Sequence, residues 1–225
     1  MIMADINWPA FWAPIRLSLQ VSLISSIVAV ILGVSVAWWM SRKTFRGKLL
    51  LETAFMLPLV LPPTVVGFLL LVALGRKSWF GRYIESIFTE PILFTWWAAV
   101  IASIVVAFPL VYQTMKVAFS SIDRDLEDAG RSNGANEWQV FRYISFPLVF
   151  SSFLTAYILG FARSLGEFGA TLMIAGNIPG KTQTIPTAIY VAVDSGDMAI
   201  AWAWTCSMVV ISFLMLLIAR RKPPQ

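Results

Sequence analysis

The amino-acid sequence predicts an all-α polytopic membrane protein of about five transmembrane helices, N-terminus outside and C-terminus in the cytoplasm. Three observations predict it. Of the 225 residues, 58% are hydrophobic and 13% charged, with a mean hydropathy of +0.76, whereas soluble domains carry about 25% charged residues. The apolar residues fall in runs of about 20 or more, the length a helix needs to cross ~30 Å of hydrocarbon. The basic residues cluster at the ends of those runs, so the net charge of +5 reads as a topology signal and not as a nucleic-acid footprint.

Residues 1–13 lack a basic segment before the first apolar run and a small-residue cleavage site, so they read as a short external segment, not a cleaved signal. Hydropathy places spans at 14–40, 49–74, 92–119, 146–165 and 198–219. Inside the second, Pro58, Pro62 and Pro63 free backbone groups that only protein or a water-filled cavity can receive, and Gly67 allows close helix approach. In the fourth, Ala156, Gly160 and Ser164 form a small-residue ridge suited to tight helix packing, within the chain or at a subunit seam. The stretch 166–197 is broken by Gly166, Gly169, Gly176, Pro179, Gly180 and Pro186 and cannot be one clean span. A basic tail, 220–225, closes the chain.

Orientation follows from lysine and arginine. Arg42, Lys43, Arg46 and Lys48, then Lys116, Arg124, Arg131 and Arg142, then Arg220, Arg221 and Lys222 lie on one side. The opposite side holds Arg16, Arg76, Lys77, Arg82 and Lys181. The excess puts the polar island around 121–147 and the C-terminus in the cytoplasm. Most tryptophans sit near span ends, where interfacial anchoring explains them.

The island is the most informative part of the chain. Ser121-Ile122-Asp123 can cap a helix, with Asp125, Glu127 and Asp128 near its positive end. Gly134 supplies a turn, and a second short helix carries Trp138, Val140 and Phe141 as its apolar residues. Pro147 marks the entry to the next span. Two short helices joined at a glycine make a hairpin along the membrane surface, with Trp138 and Phe141 available to fill a groove on a partner.

This island resembles the cytoplasmic coupling loop of ABC importer permeases, whose pattern is Glu-Ala-Ala, three residues, Gly, nine residues, Ile-x-Leu-Pro. The matching residues are Asp128, Ala129, Gly130, Gly134, Ile144, Phe146 and Pro147, with Asp, Gly and Phe as the three departures. Two further stretches, Leu57–Gly67 and Ala162–Ala170, are similar to permeases for molybdate, tungstate and sulfate, the molybdate group fitting best. The resemblance implies a type I importer fold over 14–219, with 121–147 as the coupling loop. It implies two copies of the chain, two ATP-binding subunits that carry the ATP and Mg, and an external substrate-binding protein, in a bacterial cytoplasmic membrane. The chain itself would be neither an enzyme nor a cofactor carrier. Its cargo would be molybdate, with tungstate or sulfate/thiosulfate as the alternative, and an ATP-independent channel or secondary carrier as a remoter one.

Candidates for the pathway or its helix breaks are Pro62, Pro63, Gly67, Arg163, Ser164, Gly166, Glu167, Gly169 and Thr171. Arg163 and Glu167 are four residues apart in or near a span, where ionisable groups face protein or a cavity. Arg163 could attract a divalent oxyanion; the plainer reading, which we favour, is an ion pair that neutralises itself and fixes a helix break. Ser164, Thr171 and amides near Gly166 and Gly169 could line a path with weak donors.

Other chemistries lack raw material. With no histidine and one cysteine, Cys206, the usual zinc and haem ligand sets and an intrachain disulfide are unavailable. Ala175–Thr182 fits a permissive P-loop expression, but Pro179 removes an amide from the cradle and Pro186 disrupts the following helix. An intramembrane enzyme would need an assembled nucleophile and base. A secondary carrier would show internal repeats and would leave the island unexplained.

Overall fold

The structure is a computed structural model describing residues 8–88 and 91–220. Its elements are α1 (Trp8–Arg42), α2 (Lys48–Val60), α3 (Pro63–Leu74), α4 (Trp79–Phe88), α5 (Trp96–Ser120), α6 (Arg124–Ser132), α7 (Glu137–Val140), α8 (Phe146–Leu165), α9 (Gly169–Ala175), α10 (Ile185–Asp194) and α11 (Met198–Arg220), with a π-turn, Phe141–Ser145, joining α7 to α8. No strand occurs among the described residues. Met1–Asn7 and the tail from Arg221 lie outside them.

The core is a three-helix seam of small residues. Along α1, Ser18, Ser22, Ser25, Ser26, Ala29, Gly33 and Ala37 are all buried. The facing strip of α5 offers Ala98, Ala102, Ser103, Ala107 and Val111. A Cβ on Gly33 would come 2.6 Å from Val111 Cγ1, and one on Gly160 of α8 2.9 Å from Val111 Cγ2. With lipid outside as apolar as the core, such close backbone approach is what holds membrane helices together. The hydroxyls cost little there, since Ser25 and Ser26 donate back to the carbonyls of Ser22 and Leu23, at 3.3 and 3.0 Å. The Ala156–Gly160–Ser164 ridge is thus spent on packing inside one chain.

Two predicted boundaries change. The first span begins at Trp8, not residue 14, so part of the expected external segment is helix. The fourth does not start afresh at Pro147: one helical run extends from Glu137 to Leu165, 29 residues. A proline ring in an α-helix clashes with the carbonyl four residues back. Here the Phe146 amide bonds instead to Phe141 O, five back, and that π-turn carries the chain past Pro147 without a break.

The second span is α2 and α3, which meet at Leu61–Pro62 and bend by 116°. Neither half alone, about 18–20 Å long, crosses the hydrocarbon. Together they do, by parity. The end of α1 touches the island through Arg42–Glu127, so both lie on one face of the membrane. The full-length span α5 separates them in sequence, and α2–α3 must therefore supply the return crossing. Side-chain contacts agree: Glu52 pairs with Lys116 near the end of α5, Phe55 packs on Phe108 and Tyr112, and Val66 and Leu74 share a core with Ala98 and Ala102 at its start.

Segment 166–197 folds as α9 and α10, both held on the outer side. Phe94 N–H donates to Ile174 O at 2.9 Å, and Ile185 N–H to Ser18 Oγ at 2.7 Å. Trp204 at the start of α11 stacks on Phe11 and bonds its carbonyl. α11 therefore starts outside and crosses inward, giving five crossings.

Candidate functional site: the cytoplasmic hairpin and the helix break

The hairpin is built from local signals that agree. Asp123 caps α6, its carboxylate accepting from the Asp125 amide at 3.1 Å. The arm ends at Asn133, and Gly134 adopts φ +87 while its amide bonds Arg131 O. Asn136 then opens α7 with a capping box: its side chain accepts from Gln139 N, and Gln139 Oε1 accepts from Asn136 N. Gly130 lies where a Cβ would come 2.5 Å from Ile144 Cδ1, so the isoleucine of the motif packs into the space the glycine leaves.

Charges stitch the two arms. Arg131 bonds Glu137 at 2.7 and 3.2 Å and Asp128 at 2.6 Å. The Glu137 hydrogen bond, with a smaller one from Asp128, pushes the Arg131 guanidinium up from its ordinary range. Glu127 faces inward and pairs with Arg42, and Ser145 donates to Glu127 Oε1 at 2.6 Å. Neither Arg42 nor Ser145 is marked for this role by the sequence. Arg42 counted only as a topology charge, and Ser145 is the unnamed position of the Ile-x-Leu-Pro pattern.

Part of the hairpin's exposed surface is apolar. Trp138 is 64% exposed, and Leu126 is also exposed. Trp138 stacks on Phe141, with centroids 5.5 Å apart, but Phe141 itself turns inward against Trp38 and Phe119. Of the two expected anchors, Trp138 alone is exposed, and it borders an apolar groove lined by Ile31 and Val34 of α1 and Phe153 of α8. Asp128 and Ala129 are exposed, Ile144 is half-buried and Pro147 is exposed.

The remaining candidates meet at a second place, where the break in the bent span abuts the break after α8. Gly169 lies against Pro63, with 3.0 Å from a built Cβ, and Gly67 against Met173 and Ala170, at 2.7 and 2.8 Å. Pro62 caps α3 with Pro63 at its first position. Thr171 and Ser164 are buried, and Ser164 Oγ has no hydrogen-bond partner. Gly166 is exposed at the end of α8. Arg163 Nη1 lies 2.8 Å from Glu167 Oε2, close enough for an ion pair though without the alignment of a hydrogen bond. Glu167 Oε1 accepts from the Ala170 amide at 2.9 Å and so anchors the start of α9. The pair therefore sits at the break itself, between the end of α8 and the start of α9.

With this geometry in place, comparison with known proteins is direct. The family model described as "Binding-protein-dependent transport system inner membrane component" matches residues 29–222. The chain is 57% identical to YvgM of Bacillus subtilis (strain 168) over 222 residues, 99% of this chain and 98% of that one. It is 43% identical to the molybdenum transport system permease protein ModB of Escherichia coli (strain K12) over 195 residues, 87% and 83% of the two chains. Among solved structures, a bacterial alginate ABC transporter in complex with alginate pentasaccharide-bound periplasmic protein superposes with a TM-score of 0.78 at 17% identity, covering 95% of this chain and 78% of that one. At that identity the likeness speaks for the fold.

Proposed function

The chain belongs to the family of binding-protein-dependent transport system inner membrane components, and from that premise we propose that it forms the translocation pathway of an ATP-driven molybdate importer. The observation that carries this is the hairpin whose second arm runs without interruption into a membrane span, from Glu137 to Leu165. A partner that displaces the hairpin must also tilt that span, because no flexible joint separates them. The relationship to a ModB at 43% identity supports molybdate as the cargo.

In this reading two copies of the chain pair to enclose the route, since five spans are few for a closed channel. Two ATP-binding subunits grip the hairpins through Asp128, Ala129, Gly134 and the exposed Trp138 indole. ATP and Mg belong to those subunits, and hydrolysis is theirs. Their closure drives the hairpins together and opens the pathway outward, where a binding protein releases the oxyanion; hydrolysis resets it. Gly166 and the small polar groups at the helix break lie beside the route and hold the anion weakly, as passage requires, while Arg163 stays neutralised by Glu167. Selectivity resides mainly in the binding protein.

The test is ATP hydrolysis in proteoliposomes containing this chain, its ATPase and its binding protein, with molybdate, tungstate or sulfate. Stimulation by molybdate-loaded binding protein and none by sulfate is the expected result. Stimulation by sulfate alone would keep the importer and replace the cargo. Failure to assemble with any ATPase would overturn the coupling role.

A further inference from the structure

The hairpin is joined covalently to α5 through Ser121–Asp123 and to α8 through the π-turn, but α1 has no such link. Its contact with the hairpin is polar and buried. Arg42, the last residue of α1, is 18% exposed and its partner Glu127 8% exposed. Ser145 is fully buried; its hydroxyl lies 3.0 Å from Arg42 Nη2 and donates to Glu127 Oε1. Trp38 holds the guanidinium from the other side, its ring centroid 4.7 Å from Cζ. Arg42 and Ser145 thus converge from distant segments on the Glu127 carboxylate, whose other oxygen lies 3.5 Å from Arg131 Nη2 on the same arm.

Two features set this cluster apart from ordinary helix-end electrostatics. An arginine at a helix C-terminus and an acid at a helix N-terminus each do well in open water, so neither needed to be buried. A buried ion pair contributes little net stability compared with apolar packing, yet losing one partner is costly. Such a pair is best suited to fixing geometry. The π-turn adds the second feature: the extra residue that carries the helix past Pro147 also points Ser145 inward, where it closes the cluster and approaches Val140 O at 3.4 Å.

We propose that Arg42, Glu127 and Ser145 form a transmission clamp that makes the end of α1 move with the hairpin, so that the ATPase drives α1 and α8 together. Arg42 acts here as a positioning residue, and the inference rests on the importer reading above. Without the clamp the hairpin would still dock and the partner would still hydrolyse ATP, but its stroke would reach α8 alone.

The experiment uses the full complex in proteoliposomes, with molybdate uptake and ATP hydrolysis measured on the same vesicles. Arg42→Gln and Glu127→Gln should assemble and keep basal ATP hydrolysis, while molybdate moved per ATP falls roughly tenfold, a size typical of a strong network contact. Arg42→Lys, which keeps a positive charge opposite Glu127, should restore part of that ratio. An unchanged ratio in the Gln variants would overturn the clamp. So would a parallel fall in assembly, hydrolysis and uptake in all of these variants, since that is the mark of a purely structural contact. Wild-type complexes that hydrolyse ATP and carry no molybdate would instead sink the cargo assignment, and an uptake assay with tungstate or sulfate in the same vesicles would then test the clamp.

Discussion

Gly134 and Gly33 are glycines for different physical reasons, and substitutions separate them. At Gly134 the backbone has φ +87 and a Cβ would meet nothing within 4 Å. The cost of a side chain there is conformational, about 1–2 kcal/mol for most residues and less for asparagine. Gly134→Val should insert normally and lose uptake, whereas Gly134→Asn should keep most of it; equal uptake by both would show that the turn is not where coupling is made. At Gly33 the backbone is helical and the obstacle is Val111 Cγ1 at 2.6 Å. Gly33→Ala should therefore overpack the α1–α5 seam by about 1–3 kcal/mol and lower the melting temperature in detergent, with no defect specific to coupling. Only the first of these was legible in the sequence. Gly134 stands at a fixed offset from Asp128 and Pro147, whereas nothing near Gly33 says that Val111 will lie against it.

Elements show the same division. Hydropathy located every span because burial in lipid is a property of composition, read over a window. Pro62 and Pro63 marked the place of the break in the second span, but neither its 116° angle nor the continuity of α7 with α8 was legible, because both depend on where single amides find acceptors. Pro147 shows why: it predicts a helix start, yet a one-residue shift of the hydrogen-bond pattern lets the helix pass through. The first half of the bent span is loosely held. α2 has no buried residue and is held to α5 by Phe55 and by the Glu52–Lys116 pair at 2.9 Å. The Glu52 carboxylate is largely buried and has the Tyr112 hydroxyl as its other polar neighbour. Lys116→Met should thus leave that carboxylate without its charge partner, at about 1–3 kcal/mol. Hydrogen exchange over 48–60 should accelerate while the core of α5 stays protected. No change in that window would mean that aromatic packing alone secures α2.

For the whole molecule, the contact between Arg42 and Glu127 decides topology as well as coupling. It fixes the 43–47 loop and the hairpin on one side, and five crossings follow once α2–α3 is counted as one. If that pair were instead a re-entrant loop, residues 46 and 77 would share a side. α5 would then carry the chain across, and the hairpin would lie opposite Arg42, which the ion pair forbids. Labelling in whole cells distinguishes the two arrangements. In a Cys206→Ala background, single cysteines at Arg46, Lys77, Asn133 and Lys181 occupy exposed positions and can be challenged with a membrane-impermeant maleimide. Lys77→Cys and Lys181→Cys should react in intact cells, whereas Arg46→Cys and Asn133→Cys should react only after permeabilisation. Reaction of positions 46 and 77 from the same side would remove the fifth crossing. The hairpin could then share a side with Arg42 only if α5 also failed to cross, and the bent span would have to be rebuilt as a loop. The expected pattern places the hairpin, the clamp and the end of α11 together on the cytoplasmic face, where a single ATPase subunit can reach them.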